Sequence, residues 1–376
     1  MANSLFTTLK ITTFVFEEYN EGMKTISVCM IVKNEEKHLS RILECAKKFA
    51  DEIIVVDTGS TDNTKTIAKI YTPNVYTFSW CNDFSKARNF SFSKATCDYI
   101  MWIDADDYIS QKNIKAINQL KQTMSADVYM LKYAIAFNEQ NKPTFEYYRE
   151  RILKRSKNFV WQGFIHEAIV PSGEIEYKEI SIYHKKIHQV DAKRNLKIFR
   201  QKIRNGEKLD ARLTYYYARE LYYNKYYSKC IKTLKCYLKM KNLYAPNQQD
   251  AYTIISNCYK TLGDIKNAIK YLNIATQLFC PTPEICCLLA ELYIITKNKK
   301  LAIFWYRNCF NCPQNNQGFV NKNYEILVPA LCLCKLYYEI GDIKQSLFFH
   351  ELTKKYFPKN KSVEYNTKFF NNLNKK

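Results

Sequence analysis

The chain has 376 residues, 47% of them hydrophobic and 25% charged, with 57 Lys and Arg against 36 Asp and Glu for a formal charge of +21. That length suits two domains and that apolar share supplies a packed core, which excludes a largely disordered chain. The basic balance comes without a dense basic run interleaved with aromatics, so it fits a lysine-rich surface attractive to small anions better than a nucleic-acid interface, and no window reaches the ~18 apolar residues of a membrane helix.

The opening "MANSLFTTLKITTFVFEEYNEGMK" is interrupted by Lys10, Glu17 and Glu18 and lacks the apolar run of a signal peptide. Residues 1–22 are therefore expected to be a dispensable extension ahead of Met23. The 14 cysteines mostly sit among Leu, Ile and Tyr, as Cys29, Cys230, Cys258, Cys286, Cys287, Cys332 and Cys334 do, where a reduced thiol serves as a small hydrophobe. Reduced thiols fit a cytoplasmic location. "CFNC" at Cys309 and Cys312 has zinc spacing, but no second pair of suitable spacing lies near it in the sequence.

"TISVCMIV", "DEIIVVD" and "DYIMWID" are short, β-branched apolar runs that read as strands. Between the first two, Leu39, Ile42, Leu43, Ala46 and Phe49 recur at helical spacing, and after the second Ser60 or Thr61 can cap a helix beginning "STDNTKTIAKIY". The rhythm is β-α-β-α-β, an α/β domain with a mainly parallel sheet and helices on both faces. In such sheets ligands bind outside the carboxyl ends of the strands. Those ends carry Lys33, Asn34 and Glu35, then Asp57, then Asp104 to Asp107.

The last group is unusual for a basic chain. Asp104, Asp106 and Asp107 crowd into four positions and repel one another unless a cation sits among them. Hard oxygen ligands without neighbouring thiolates favour Mg²⁺ or Mn²⁺. The other reading is a helix start, with Asp107 or Ser110 capping "DDYISQKNIKAINQL". Only Gly22 and Gly59 precede Gly163, so neither a G-x-G-x-x-G fingerprint nor a P-loop can be built in this half.

"ISVCMIVKNEE", "DEIIVVDTGSTDNT", "WCNDFSKARNFS" and "IDADD" resemble, in order and approximate spacing, the family 2 glycosyltransferases of GT-A fold. The resemblance is strongest to the branch of lipopolysaccharide-core glucosyltransferases and glycocin S-glycosyltransferases, and it covers residues 25 to about 185. It implies that Asp57 contacts the base or ribose of a sugar nucleotide, although many members carry a second Asp where this chain has Thr58. It implies that Asp104 and Asp106 form the D-x-D pair that holds metal and diphosphate. Arg88 and Asn89 resemble the pair that reaches the donor side of the cleft, and Lys33, Asn34 and Glu35 lie near the nucleotide. "RILKRSKNFVWQGFIHEAI" resembles the segment with a His-Glu dipeptide, which makes Glu167 the candidate base and His166 a candidate catalytic group and metal ligand. Trp161, His38 and Arg151 read more simply as structural, and His184 and His188, flanked by lysines, as solvated.

"KIHQVDAKRNLKIFRQKIRNGEKLDA" is a basic amphipathic segment over residues 186–211, expected to form a connecting helix ending near Gly206. From residue 212 small residues recur in pairs twelve apart: Ala218 with Cys230, Ser256 with Ala268, Ala290 with Ala302 and Cys334 with Ser346. Tyr259, Tyr293 and Tyr337 follow the first small residue by three, and Gly263 and Gly341 occupy the turn. The offset from Ser256 to Ala290 is 34, the period of the tetratricopeptide repeat. Four repeats are expected over residues 212–358, followed by a Lys/Asn-rich tail over 359–376.

The expected activity is a metal-dependent inverting transfer from a nucleotide diphosphate sugar, by resemblance UDP-glucose or a related UDP-sugar. Helical repeats present an extended surface, so the acceptor is read as a protein or peptide side chain or a saccharide, with no nucleic-acid partner, no transmembrane segment and peripheral membrane contact left open. The alternative is an interaction protein whose transferase-like half is inactive. Which sugar, which acceptor, which base and which oligomeric state are not written in these residues.

Overall fold

The computed structural model describes residues 22–137, 143–184, 193–313 and 322–373. The proposed extension at 1–22 lies almost wholly outside the described residues, and His188 and the first residues of the basic segment lie outside them too. The chain divides into two compact units, 1–189 and 190–376.

In the first unit the elements run β1 (Ile26–Val32), α1 (Leu39–Ala46), β2 (Glu52–Asp57), α2 (Thr64–Tyr71), β3 (Val75–Thr77), α3 (Phe84–Phe92), β4 (Tyr99–Trp102), β5 (Asp107–Tyr108) and α4 (Gln111–Leu120). There follow β6 (Val128–Phe137), β7 (Pro143–Lys154), a small hairpin of β8 (Trp161–Gln162) with β9 (Ala168–Ile169), and β10 (Ile175–His184). The main sheet has the order β3-β2-β1-β4-β7-β6-β10-β5. Its first four strands are parallel, while β7 enters antiparallel to both β4 and β6, so the sheet is mixed. β6 and β7 lie beyond the three runs that define the β-α-β-α-β rhythm, and the pairing of β7 with β4 places Arg151 beside the end of that strand.

Side-chain alternation assigns the two faces. Val28, Met30, Ile53, Val55, Tyr99, Met101 and Ile152 join Leu39, Ile42, Leu43, Ile114 and Ile117 of α1 and α4 in one core. The intervening Cys29, Ile54, Val56, Ile100, Trp102 and Leu153 meet Phe92 and Trp161 in the other. A strand buried on both sides must be apolar at every position, which is why β1 and β2 read as continuous runs.

The second unit is all helical: α5 (Arg194–Arg204), then the pairs α6 (Ala211–Tyr223) with α7 (Tyr227–Tyr237), α8 (Ala245–Thr261) with α9 (Ile265–Leu278), α10 (Pro283–Ile295) with α11 (Lys299–Asn308) and α12 (Leu327–Glu339) with α13 (Ile343–Tyr356), and finally α14 (Lys361–Leu373). All eight small residues of the repeat pattern are at most 3% exposed. At two seams the contact is a hydrogen bond as well, from Ser256 Oγ to the Ala268 carbonyl at 2.9 Å and from Ser346 Oγ to the Cys334 carbonyl at 2.7 Å. The turn of every pair holds a residue with positive φ: Lys225, Gly263, Lys297 and Gly341. α5 ends just before Gly206, as its composition suggests. The Lys/Asn-rich end forms a helix over Lys361–Leu373, with Val363 and Phe370, two turns apart, both buried.

Candidate active site

The loops after β1 and β2 are stitched together by main-chain amides that donate to side-chain oxygens. Asn34, at φ 56°, accepts from the Thr61 amide at 2.8 Å, while its own amide donates to Ser60 Oγ at 2.9 Å. The Glu35 amide donates to Thr64 Oγ1 at 2.7 Å. Asp57 is 1% exposed and its carboxylate accepts from the Gly59 and Ser60 amides at 3.1 and 3.2 Å. Gly59 takes φ 102°, so the turn that wraps this carboxylate suits glycine. Lys33 is exposed beside them.

The acidic turn separates into unlike parts. Asp107 is wholly buried: one carboxylate oxygen accepts from the Asp104 amide at 3.0 Å and Arg151 Nη1 at 3.2 Å, and the other from Tyr133 at 3.1 Å and faces His184 Nδ1 at 3.2 Å. It pins the turn and is not a helix cap; that role falls to Ser110, whose side chain accepts from the Asn113 amide. Arg151, also wholly buried, lies flat between Trp102 and Tyr133 with its charge 3.5 and 4.1 Å from the ring centres. Those faces stabilise a cation whose Nε and Nη2 have no hydrogen-bond partner among the described residues. From the opposite side Arg41 of α1 donates to the Asp106 and Asp107 carbonyls at 3.3 and 3.5 Å.

Asp106 points elsewhere. Its carboxylate is 21% exposed and lies 3.4 Å from His184 Nδ1. His184 closes β10, which pairs antiparallel with β5 in a register that sets His184 opposite Asp107. It is three-quarters covered, not solvated. One ligand atom from each of Asp106, Asp107 and His184 lies within 4.8 Å of the others, a group from which Asp104 and His166 are absent. Burial raises the Asp106 pKa, Asp104 and Asp107 add to that, and His184 opposes it. For His184 burial works downward, but the bond to Asp107 and the nearby acids prevail and raise it. Carboxylate oxygens with one imidazole form a donor set suited to a hard divalent ion.

Arg88 of α3 joins the remaining acids. Its Nη2 contacts Asp104 Oδ1 at 2.8 Å and its Nε contacts Glu167 Oε1 at 2.8 Å. The guanidinium lies 4.8 Å from the Trp161 ring centre and 5.2 Å from that of Trp102, and its side chain is 11% exposed. Burial tends to raise the Asp104 pKa, yet the charges of Arg88 and Arg151 outweigh it and bring it to about 2. Glu167 keeps Oε2 without a protein hydrogen-bond partner among the described residues. His166, beside it, adopts φ 50°.

Asn89 has a different task from its neighbour: its amide donates to the Trp161 carbonyl at 3.0 Å and accepts from the Trp161 amide at 2.8 Å, replacing a strand partner for β8. Trp161 is 3% exposed and packs against Trp102 and Phe92, which makes it core rather than a platform for a sugar. The fold thus groups Arg88, Asp104 and Glu167, and separately Asp106, Asp107 and His184. Two residues of this site, Arg151 and His184, were assigned by sequence to structure and to solvent.

Residues 27–172 match the model of Glycosyl transferase family 2, and residues 249–278 and 283–311 match that of the tetratricopeptide repeat. The chain carries a family 2 glycosyltransferase domain followed by tetratricopeptide repeats. Among curated relatives, the SPbeta prophage-derived glycosyltransferase SunS of Bacillus subtilis is 43% identical over 24% of this chain and 22% of its own. An uncharacterized glycosyltransferase of Rickettsia prowazekii is 33% identical over 32% of this chain and 42% of its own, and a TPR repeat-containing protein of Synechococcus elongatus 44% over 23% and 21%. The matches thus span less than half the length of each of these relatives. Among the described residues no helix is long and apolar enough to cross a membrane.

Proposed function

We propose that this protein moves a sugar from a nucleotide diphosphate sugar, UDP-glucose or a related UDP-sugar, to a protein or peptide side chain or a saccharide, with inversion at the anomeric carbon. The observation that carries the reading is the convergence of Asp106 and His184 beside an Arg88 that holds Asp104 and Glu167 together. Asp106 and His184 would hold Mg²⁺ or Mn²⁺, with Asp107 behind His184 fixing its orientation, and His166 is placed by resemblance alone. Such an ion, when bound, offsets charge on a departing diphosphate. Asp57, with Lys33, Asn34 and Glu35 around it, is assigned to the nucleoside end of the donor. Arg88 orients the Asp104 carboxylate and keeps it ionised. Glu167, with Oε2 unclaimed by protein, is assigned to take the proton of the acceptor nucleophile as it attacks. Burial of Arg88 against the touching Trp102 and Trp161 rings keeps bulk water from this end of the cleft and strengthens its ion pairs.

The test is donor hydrolysis by purified protein with UDP-sugars and Mn²⁺. Slow turnover is expected, with at least a ~100-fold loss in Asp106→Asn and in His184→Asn. Equal rates in both variants would defeat the metal assignment; equal rates in Glu167→Gln with a defined acceptor would defeat the base.

A further inference from the structure

Four cysteines converge in the second unit. Cys286 and Cys287 lie in the first turn of α10, and Cys309 and Cys312 lie in the 3₁₀ turn that follows α11 and at its end. In the sequence the "CC" and "CFNC" pairs are far apart, but the fold sets Cys287 Sγ 3.4 Å from Cys309 Sγ and Cys286 Sγ 3.7 Å from Cys312 Sγ. Cys309 also lies near enough to Cys286 to perturb its thiol. The sulfurs therefore form a chain, 312–286–309–287. Successive residues of a helix project ~100° apart, so each of the adjacent cysteines faces its own partner.

Packing alone does not ask for this. At the inner seams of the repeats, Ala, Ser or a single Cys, as at Cys230 and Cys334, fills the positions where two helices touch, and four thiols do not gather there. A closed zinc site is also a poor match, since bonds of ~2.3 Å require all four sulfurs to lie ~3.8 Å from one another. Among the described residues, the groups of three or more His, Cys, Asp or Glu with ligand atoms that close together comprise Asp106, Asp107 and His184, and no cysteines. Facing pairs need only close by about 1.5 Å to reach the ~2.05 Å of a disulfide.

We propose that these four thiols are an oxidative modification site in which a low-molecular-weight disulfide, such as oxidised glutathione, converts Cys286–Cys312 and Cys287–Cys309 into two bonds that staple α10 to the end of α11. Cys312 is the partly exposed member, while Cys286, Cys287 and Cys309 are 0%, 4% and 3% exposed. The Cys312 thiolate attacks oxidised glutathione and expels one glutathione thiolate. The Cys286 thiolate then displaces the second, so that two thiols lose two protons and two electrons and two glutathiones carry them away. Exchange moves the bond inward without net redox change: Cys309 attacks the Cys286 sulfur and frees Cys312, then Cys287 attacks the Cys309 sulfur and frees Cys286. A second oxidised glutathione closes the outer pair. The neighbouring Cys309 thiol together with burial pushes the Cys286 thiol up to about 12. Closure is therefore slow at neutral pH and answers sustained oxidation rather than a brief pulse.

The full chain, with Cys280→Ser to remove the exposed thiol on the same tryptic peptide, is incubated with oxidised glutathione, alkylated, digested without reduction and weighed. The expected product joins the peptide containing Cys286 and Cys287 to that containing Cys309 and Cys312 through two bonds. It retains one bond in C286S/C312S and one in C287S/C309S. The oxidised chain should melt several degrees above the reduced chain. Cys230 and Cys258, neighbouring thiols that are both 0% exposed, should remain alkylatable only after unfolding. Full recovery of the four cysteines as free thiols in the unsubstituted ladder, or copurification of one equivalent of zinc that blocks alkylation, would overturn the proposal. Oxidation of Cys230–Cys258 at the same rate would overturn the route through Cys312.

Discussion

Arg88→Met tests the bridge most directly, since Met keeps much of the volume and removes the charge. Asp104 ordinarily titrates near 3.8 and is held at about 2 in the folded chain. At ~1.36 kcal/mol per decade that gap corresponds to about 2 kcal/mol, the surplus of Arg88, the larger favourable contributor, and Arg151 over the cost of burial. Loss of the Arg88 share, and of the Glu167 pair at 2.8 Å, should lower the stability of the first unit by about 3 kcal/mol at pH 6, within the range for a broken buried ion pair. The pH dependence has a definite sign. A depressed carboxylate pKa contributes stability that is fully present above 3.8 and fades as pH falls towards 2. Urea unfolding followed by Trp fluorescence, in a cycle with Asp104→Asn, should therefore give an Arg88–Asp104 coupling of about 1.5 kcal/mol at pH 6 that declines towards pH 2.5. A coupling below about 0.5 kcal/mol, or one unchanged across that range, would refute the bridge as the cause.

In the repeats, Lys225 and Lys297 occupy left-handed turn positions at φ 63° and 60° that glycine fills in the other two pairs. Lys225→Gly and Lys297→Gly should each stabilise the helical unit by about 0.5–1 kcal/mol in thermal melts, and a loss of stability would contradict the turn assignment. Gly173→Ala should cost at least about 2 kcal/mol, because φ is 82° and an added Cβ would sit 2.2 Å from Asp127 Oδ2; a neutral melt would show that the Glu174 turn rearranges freely.

The parallel half of the sheet and the repeat unit were legible because each is local. Apolar runs of β1, β2 and β4 follow from burial on both faces, and the pairs from Ala218–Cys230 to Cys334–Ser346 follow from the need for tiny side chains where two helices touch. The site was legible only in part. Motif order pointed to Asp104, Asp106, Arg88 and Glu167, but nothing along the chain says that Arg88 ties Asp104 to Glu167, since these pairs are 16 and 79 residues apart. His184 looked like one more polar residue before lysines, and its partner Asp107 is 77 positions away, made adjacent by the β10–β5 register. Asn89 shares a motif with Arg88 yet faces β8, which helical phase alone does not reveal. The terminal helix was hidden by composition, with Val363 and Phe370 diluted among Lys and Asn.

The inward turn of Asp107 bears on how the three neighbouring acids should be dissected. On the proposed reading, substituting each in turn lowers turnover, and a tally of lost turnover would credit all three equally. Yet one of them acts as a keystone under its neighbours, so its removal leaves Arg151 an uncompensated cation in the interior and loosens the backbone on which the other two stand. Only a parallel record of folding can separate the mason's stone from the working tool.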